Sequence, residues 1–278
     1  MDHLSREIFR ISNAQYSYNG NSDPVVDGVS FSIDEDERVA ILGANASGKS
    51  TLLHLLDGLY FPNTGSIEAF GTVLTEDSVE TPPFSQQFRQ NVGFLFQNSD
   101  AQLFCASVEE ELAFGPLQLG LPKPEITKRI KETLELIEIT HLRDRSPQTL
   151  SGGEKKKVAL AGLITCAPRV ILFDEPTAGL DPRTQQWLVE FMEMLHEAGV
   201  TMITASHDLS FVAEVSDRAL ILSEEHKLVY DGPVEAALSD LSLLLSVNLI
   251  HAHTHRHGDE EHLHPHMHET VHNHKHGL

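Results

Sequence analysis

Gly43 to Ser50 reads GANASGKS, directly after the apolar run Val39 to Leu42 and directly before a stretch carrying Leu52, Leu53, Leu55 and Leu56. Strand, glycine loop and helix in that order form a cradle for phosphate. The glycines let backbone N–H groups converge on phosphate oxygens, Lys49 reaches the β and γ oxygens, and Ser50 holds Mg²⁺. The helix adds the partial positive charge of its N-terminus. Gly43, Ala44, Asn45, Ala46, Ser47, Gly48, Lys49, Ser50 and Thr51 are therefore the candidate nucleotide-binding residues.

Working outward, VILFDEP from Val170 supplies what the loop lacks. Four apolar residues form a central strand and deliver Asp174 and Glu175 at its carboxyl end, where α/β proteins keep their ligands. Asp174 is the candidate Mg²⁺ ligand, directly or through water, and Glu175 the candidate general base that polarises an attacking water. LSGGE at Leu150 to Glu154 carries a Ser151/Glu154 capping box at a helix start, and Ser151, Gly152 and Gly153 there suit an anion as well.

The remaining pattern is mostly α/β. Ile8 to Tyr18 and Val29 to Ile33 alternate as strands of an antiparallel entry sheet, and Val92 to Phe96 is a further short strand. Helix formers fill Val108 to Leu119 and Glu125 to Ile139, with Ile126, Ile130, Leu134 and Ile137 on one face. From Val170 strands and helices alternate: strand to Phe173, helix Pro182 to His196, strand Thr201 to Ala205, helix Leu209 to Val215. That rhythm favours a mainly parallel sheet flanked by helices, with a helical subdomain inserted over about 85–166. A closing hairpin, Ala219 to Leu222 with Leu228 to Tyr230, and a terminal helix over Val234 to Ile250 complete an expected domain 1–250.

The order GANASGKS, Gln97, LSGGE, ILFDEP, AGLD at Ala178 to Asp181, and His207 resembles the ABC-type ATPases over about Ile8 to Ile250. The resemblance implies a P-loop ABC nucleotide-binding fold, ATP and Mg²⁺, and hydrolysis by two subunits, since the LSGGE segment closes over nucleotide held by a second ATPase subunit, a copy or a paralogue. It implies Gln97 as the Q-loop residue that contacts Mg²⁺ and relays motion, His207 as the switch histidine on the γ-phosphate, Asp181 as the D-loop acid, and Tyr18 stacking on adenine, with Tyr16 as the other candidate. Asp181 before Pro182 is also a good helix start. Relatives usually carry glycine where Ala46 stands, so alanine is strained if that position needs positive φ.

Phe94 to Pro122, FLFQNSDAQLFCASVEEELAFGPLQLGLP, resembles the ATPase component of energy-coupling factor importers, especially their cobalt and nickel branch. In that family the segment receives coupling helices, which implies a transmembrane coupling subunit and a membrane substrate-binding component as partners, and a place on the cytoplasmic face of the membrane. The hundred or so residues between the two loops leave no room for the long coiled coil of repair ATPases, and there is one cassette where translation-associated relatives usually have two.

Composition is consistent with that reading. A net charge of −21 argues against nucleic acid as a partner, no run of about 18 apolar residues offers a bilayer span, and the first thirty residues lack a secretory pattern. Two cysteines, Cys105 and Cys166, read as packed residues in a reducing compartment. Beyond Ile250 the composition changes: His251, His253, His255, His257, His262, His264, His266, His268, His272, His274 and His276 recur mostly at every second residue. Imidazole in that density suits Ni²⁺, Co²⁺ or Zn²⁺, and the segment 251–278, lacking an apolar pattern, is expected to be disordered until it binds one. Together with the importer resemblance it tilts the cargo toward cobalt or nickel. The rival is an ATP-dependent metal-sensing or metal-buffering protein not coupled to transport.

Overall fold

The computed structural model describes residues 7–18, 23–257 and 260–267. β1 (Glu7–Tyr16) and β2 (Val26–Asp34) pair antiparallel, as their alternation implies, and deliver the chain to β3 (Arg38–Leu42), whose last four residues are buried. α1 (Lys49–Leu56) follows the glycine loop. β4 (Thr64–Ala69) and β5 (Thr72–Val73) then extend the entry sheet to the order β2-β1-β4-β5.

α2 (Glu76–Glu80) and α3 (Phe84–Asn91) lead into β6 (Val92–Leu95), after which come α4 (Val108–Gln118), α5 (Lys123–Leu136) and α6 (Gly152–Ile164). β7 (Val170–Asp174), α7 (Pro182–Glu197), β8 (Thr201–Ala205), α8 (Leu209–Val215), β9 (Arg218–Leu222) and β10 (Leu228–Pro233) complete the main sheet, ordered β10-β9-β3-β8-β7-β6. The strands from β9 to β6 run parallel and only β10 is antiparallel, so the expected mainly parallel ABC-type core is borne out. Its consequence is positional. The carboxyl ends of neighbouring β3, β8, β7 and β6 release, respectively, the glycine loop, His207, Glu175 and Gln97 on one edge.

Leu52, Leu53, Leu55 and Leu56 of α1 are fully buried in one cluster with Val39, Ile41 and Ile203 of the main sheet and Ile8, Ile11 and Ile33 of the entry sheet. At about 1.5–3 kcal/mol per buried leucine, this packing anchors the helix that carries Lys49 and Ser50. The opposite face of the sheet, with Ile171, Phe173 and Met202, packs on α4, α5, α6 and α7; Ile126, Ile130, Leu134 and Ile137 all lie in that cluster.

Several details depart from the sequence-based expectation, among them the helices α2 and α3. β4 and β5 were not foreseen, because the six-residue β4 has Gly65 and only two fully buried positions, Ile67 and Ala69. The first strand ends at Tyr16 rather than Tyr18. The terminal helix is two short ones, α9 (Val234–Ser239) and α10 (Leu241–Ser246), because Asp240 leaves helical geometry at φ −90, ψ 87 and its carboxylate caps Leu243 N–H.

From Ile250 the backbone forms β11 (Ile250–His257) and β12 (Glu260–Met267), which pair antiparallel with each other and join neither sheet of the body. Such a two-stranded ribbon is marginal in water by itself, consistent with a segment that needs a ligand to hold it. His268, His272, His274 and His276 lie outside the described residues.

Candidate nucleotide site

The glycine loop has the conformation its sequence demands. Gly48 adopts φ 105, and a Cβ there would sit 2.2 Å from the Val25 carbonyl oxygen, so no other residue fits. Ala46 adopts φ 65, which bears out the suspicion that alanine occupies a left-handed position. Asn45 and Ala46 are exposed at the loop tip, whereas Ser47 is buried and its hydroxyl has no hydrogen-bond partner, a polar group that suits an oxygen-rich ligand. His226, from the β9–β10 turn, supports the loop from below with Nδ1 3.2 Å from the Ser47 carbonyl oxygen.

Lys49 is 6% exposed and donates to the carbonyl oxygens of Gly43 at 2.9 Å and Ala44 at 3.2 Å. Burial depresses its pKa, and the nearby carboxylates of Glu175 and Asp174 pull it back up. Ser50 Oγ donates to Asp174 Oδ1 at 2.9 Å, bridging the helix start and the end of β7. These hard oxygen donors fit Mg²⁺, and burial raises the Asp174 pKa against the lowering effect of Ser50. Magnesium held there would neutralise phosphate charge.

Glu175 stands just past β7 at φ 42, an uncommon conformation for a residue other than glycine, and is held by its N–H donating to the Ala205 carbonyl at 2.9 Å. Its Oε2 lies 2.9 Å from His207 Nδ1 and accepts from Ser206 Oγ at 3.4 Å, while Oε1 is 3.8 Å from Lys49 Nζ. Asp174, Glu175, Lys49, Ser50 and His207 are thus one contiguous group.

Tyr18 is partly exposed, and its hydroxyl pairs with Thr51 Oγ1 at 2.8 Å. It stands edge-on to Tyr16 and Tyr60, whose rings stack on one another at 5.3 Å. Tyr16 is therefore committed to that stack and Tyr18 is the ring at the surface. Gln97 is exposed after β6.

Ser151 forms the expected capping box with Glu154: the Ser151 N–H and hydroxyl both donate to Glu154 Oε2 at 2.8 Å. Gly152 and Gly153 occupy the first turn of α6, and Asp181 caps α7 by accepting from the N–H groups of Arg183 and Thr184. A Cβ on Gly153 would meet Thr184 Oγ1 at 2.9 Å, so the two helix starts are packed closely. Ser151 to Glu154, Asp181 and Trp187 line a cavity of about 910 Å³, to which no residue from Gly43 to Thr51 contributes. The glycine loop and the Ser151–Gly153 turn of one chain therefore do not share this cavity.

Ser206, Lys156 and His54 belong to the site's surroundings without having been foreseen. Lys156 is the legible one: it interrupts the buried face of α6 that continues through Ala159 and Leu160. His54 is half-buried against Phe94 and Tyr60, and burial lowers its pKa. Among the described residues no group of three or more His, Cys, Asp or Glu forms a metal cluster, and no helix is long and apolar enough to cross a membrane.

A glycine loop, a buried lysine, a Ser–Asp pair and a Glu–His pair on the edge of a parallel sheet define a P-loop nucleotide hydrolase. The family model described as ABC transporter matches residues 26–178, and the chain belongs to that family: it is an ABC-type ATPase subunit that uses ATP and Mg²⁺. It is 44% identical to the nickel import ATP-binding protein NikO of Rhodobacter capsulatus, over 87% of this chain and 95% of the relative. It is 39% identical to the energy-coupling factor transporter ATP-binding protein EcfA of Methanoculleus marisnigri, over 81% of this chain and 79% of the relative. Among solved structures it superimposes with a TM-score of 0.75 on cbiO1 of Clostridium perfringens, part of the ABC transporter complex cbiONQ, at 33% identity over 88% of this chain and 95% of the other.

Proposed function

We propose that this chain is the ATP-hydrolysing subunit of an energy-coupling factor importer that takes up a transition-metal ion, nickel or cobalt. The observation that carries the reading is the surface just past Gln97. Phe104, at 61% exposure, packs edge-on against Phe114 at 4.8 Å, and Leu117 is also exposed. Glu111 holds this surface in place by accepting the Phe104 and Cys105 N–H groups at 3.0 and 2.8 Å. Aromatic rings kept in water by a buried carboxylate are costly unless another protein covers them. A helix of a transmembrane coupling subunit is the fitting cover, with a substrate-binding membrane component beside it and this chain on the cytoplasmic face. Similarity to a nickel import protein and the histidine-rich end support a metal as cargo.

In this reading 1–250 is the ATPase domain, with 85–166 as its helical subdomain, and 251–278 is a metal-binding tail. Glu175 accepts the proton of the water that attacks the γ-phosphorus as the bond to the leaving ADP oxygen breaks. His207 orients Glu175 and contacts the γ-phosphate, Lys49 neutralises its charge, Ser50, Asp174 and Gln97 hold Mg²⁺, and Tyr18 stacks on the base. Ser151, Gly152, Gly153 and Asp181 complete the site of a partner. Because one chain carries every element intact, two copies suffice for two sites.

On the tail, the register pairs His251 with His266, His253 with His264 and His255 with His262. Histidine thus stands opposite histidine at three alternate paired positions of the ribbon. That juxtaposition favours capture of Ni²⁺, Co²⁺ or Zn²⁺. The test of the function is uptake of radiolabelled nickel and cobalt by cells carrying the complete transporter. Accumulation that disappears in Lys49→Ala supports the reading. Nucleotide-dependent uptake of a vitamin with no metal accumulation overturns it.

A further inference from the structure

Lys156 is 2% exposed on α6, in the turn after Ser151 to Gly153, and its ammonium donates to the backbone carbonyl of Gln97 at 3.1 Å and approaches that of Phe96 at 3.4 Å. Next to it, Lys155 makes an ion pair with Asp100, in the short 3₁₀ turn Ser99–Ala101. The same loop is closed from its own side by Gln102, whose amide accepts from Phe96 N–H at 3.4 Å and donates to the Phe94 carbonyl at 3.2 Å. Gln97 therefore has its backbone gripped from α6 while its side chain is exposed.

Burying an ammonium among carbonyls, with no carboxylate in hydrogen-bond contact, is a costly way to fill space. A methionine or leucine would pack the same volume without desolvating a charge, as Ala159 and Leu160 do one turn on. The ammonium is favoured at longer range by the Asp174 carboxylate, and the atoms it touches are the two carbonyls that set the direction in which β6 releases Gln97. A cavity of about 130 Å³ lined by Gln97, Asp100, Gly152, Lys155 and Lys156 separates the loop from the start of α6, so these two lysines carry the connection across it.

We propose that Lys156, with Lys155 beside it, is a positioning residue for hydrolysis: it locks the Gln97 backbone to the helix that begins at Ser151, so that both ATP-facing elements move as one body. Neither lysine is assigned contact with ATP. A misplacement of Gln97 then slows the chemical step and leaves nucleotide capture by Gly43 to Thr51 intact. For displacements of about an ångström such losses reach roughly 10- to 100-fold.

The test is steady-state ATPase activity of the full chain in three variants, with ATP affinity measured separately by a fluorescent ATP analogue. Lys156→Met is expected to lower kcat at least about tenfold at unchanged KM and analogue affinity, and Lys156→Arg to restore most of it. Asp100→Asn, at the exposed end of the tether, is expected to lower kcat by a smaller factor in the same pattern, and decides the matter if Lys156→Met does not fold. Unchanged kcat in Lys156→Met, a defect confined to KM, or an Arg variant as slow as Met would overturn the proposal; in the absence of a folded Met variant, unchanged kcat in Asp100→Asn would do so.

Discussion

His207 Nδ1 and Glu175 Oε2 lie 2.9 Å apart, joining the ends of β8 and β7 through two side chains that the sequence separates by a strand, a helix and a turn. The contact leaves Glu175 Oε1 facing Lys49 at 3.8 Å, so the carboxylate is held at one oxygen and directed with the other. Glu175→Gln preserves shape and hydrogen bonding but cannot take a proton. It is expected to bind ATP normally, lose at least about 100-fold in turnover, and accumulate as an ATP-bound dimer. Turnover by phosphate release and mass by light scattering check this; normal hydrolysis would remove Glu175 as the base.

Ala46 is exposed at φ 65, where a Cβ costs roughly 1–2 kcal/mol and glycine costs nothing sterically. Offset by the greater freedom glycine has in the unfolded chain, Ala46→Gly is expected to stabilise the nucleotide-free protein by up to about 1 kcal/mol. Urea denaturation measures it. A lower midpoint would mean that the methyl group is held by packing.

Asp57, at the C-terminal end of α1, is buried with Arg89 3.8 Å away, and burial raises its pKa from 3.8 to about 7. Below pH 4 the carboxyl is neutral in both folded and unfolded chains and costs nothing. As pH rises from about 4 to 7 the unfolded chain releases the proton first, so folding loses stability, and above 7 the loss is complete. Asp57→Asn is therefore expected to raise the unfolding free energy at pH 8 by up to about 4 kcal/mol, read as a higher Tm, with a gain that shrinks toward pH 5. A gain independent of pH would contradict the titration.

For the tail, truncation after Ile250 is expected to leave basal ATPase activity unchanged, because the body keeps every nucleotide-site residue, and to abolish high-capacity binding of Ni²⁺ or Co²⁺. Equilibrium dialysis gives the stoichiometry. The same number of ions bound with and without the tail would refute the assignment.

What the sequence makes legible is chemistry carried by short contiguous runs. GANASGKS and VILFDEP announce a strand end, a turn and a role within a few residues, and the strand ends that release them are neighbours or next neighbours in the sheet. The α5 face was legible because its isoleucines keep the helical period. Contacts between distant segments were not. Nothing near His226 signals that it meets Ser47, nor near Ser206 that its hydroxyl reaches Glu175, since both depend on how strands far apart in the chain are ordered. Asp240 breaks the last helix by capping locally, a competition that hydrophobic periodicity does not register.

In the proposed function, the glycine loop of one chain and the Ser151–Gly153 turn of another make one catalytic site. Lys49→Ala disables the first half and Ser151→Arg the second, so each variant alone is expected to be inactive. Mixed in equal amounts, random dimers leave about a quarter of all sites intact, built from the Ser151→Arg chain's loop and the Lys49→Ala chain's turn. ATPase activity recovering toward that quarter is the expected result. No recovery in a mixture shown to contain mixed dimers would contradict the account.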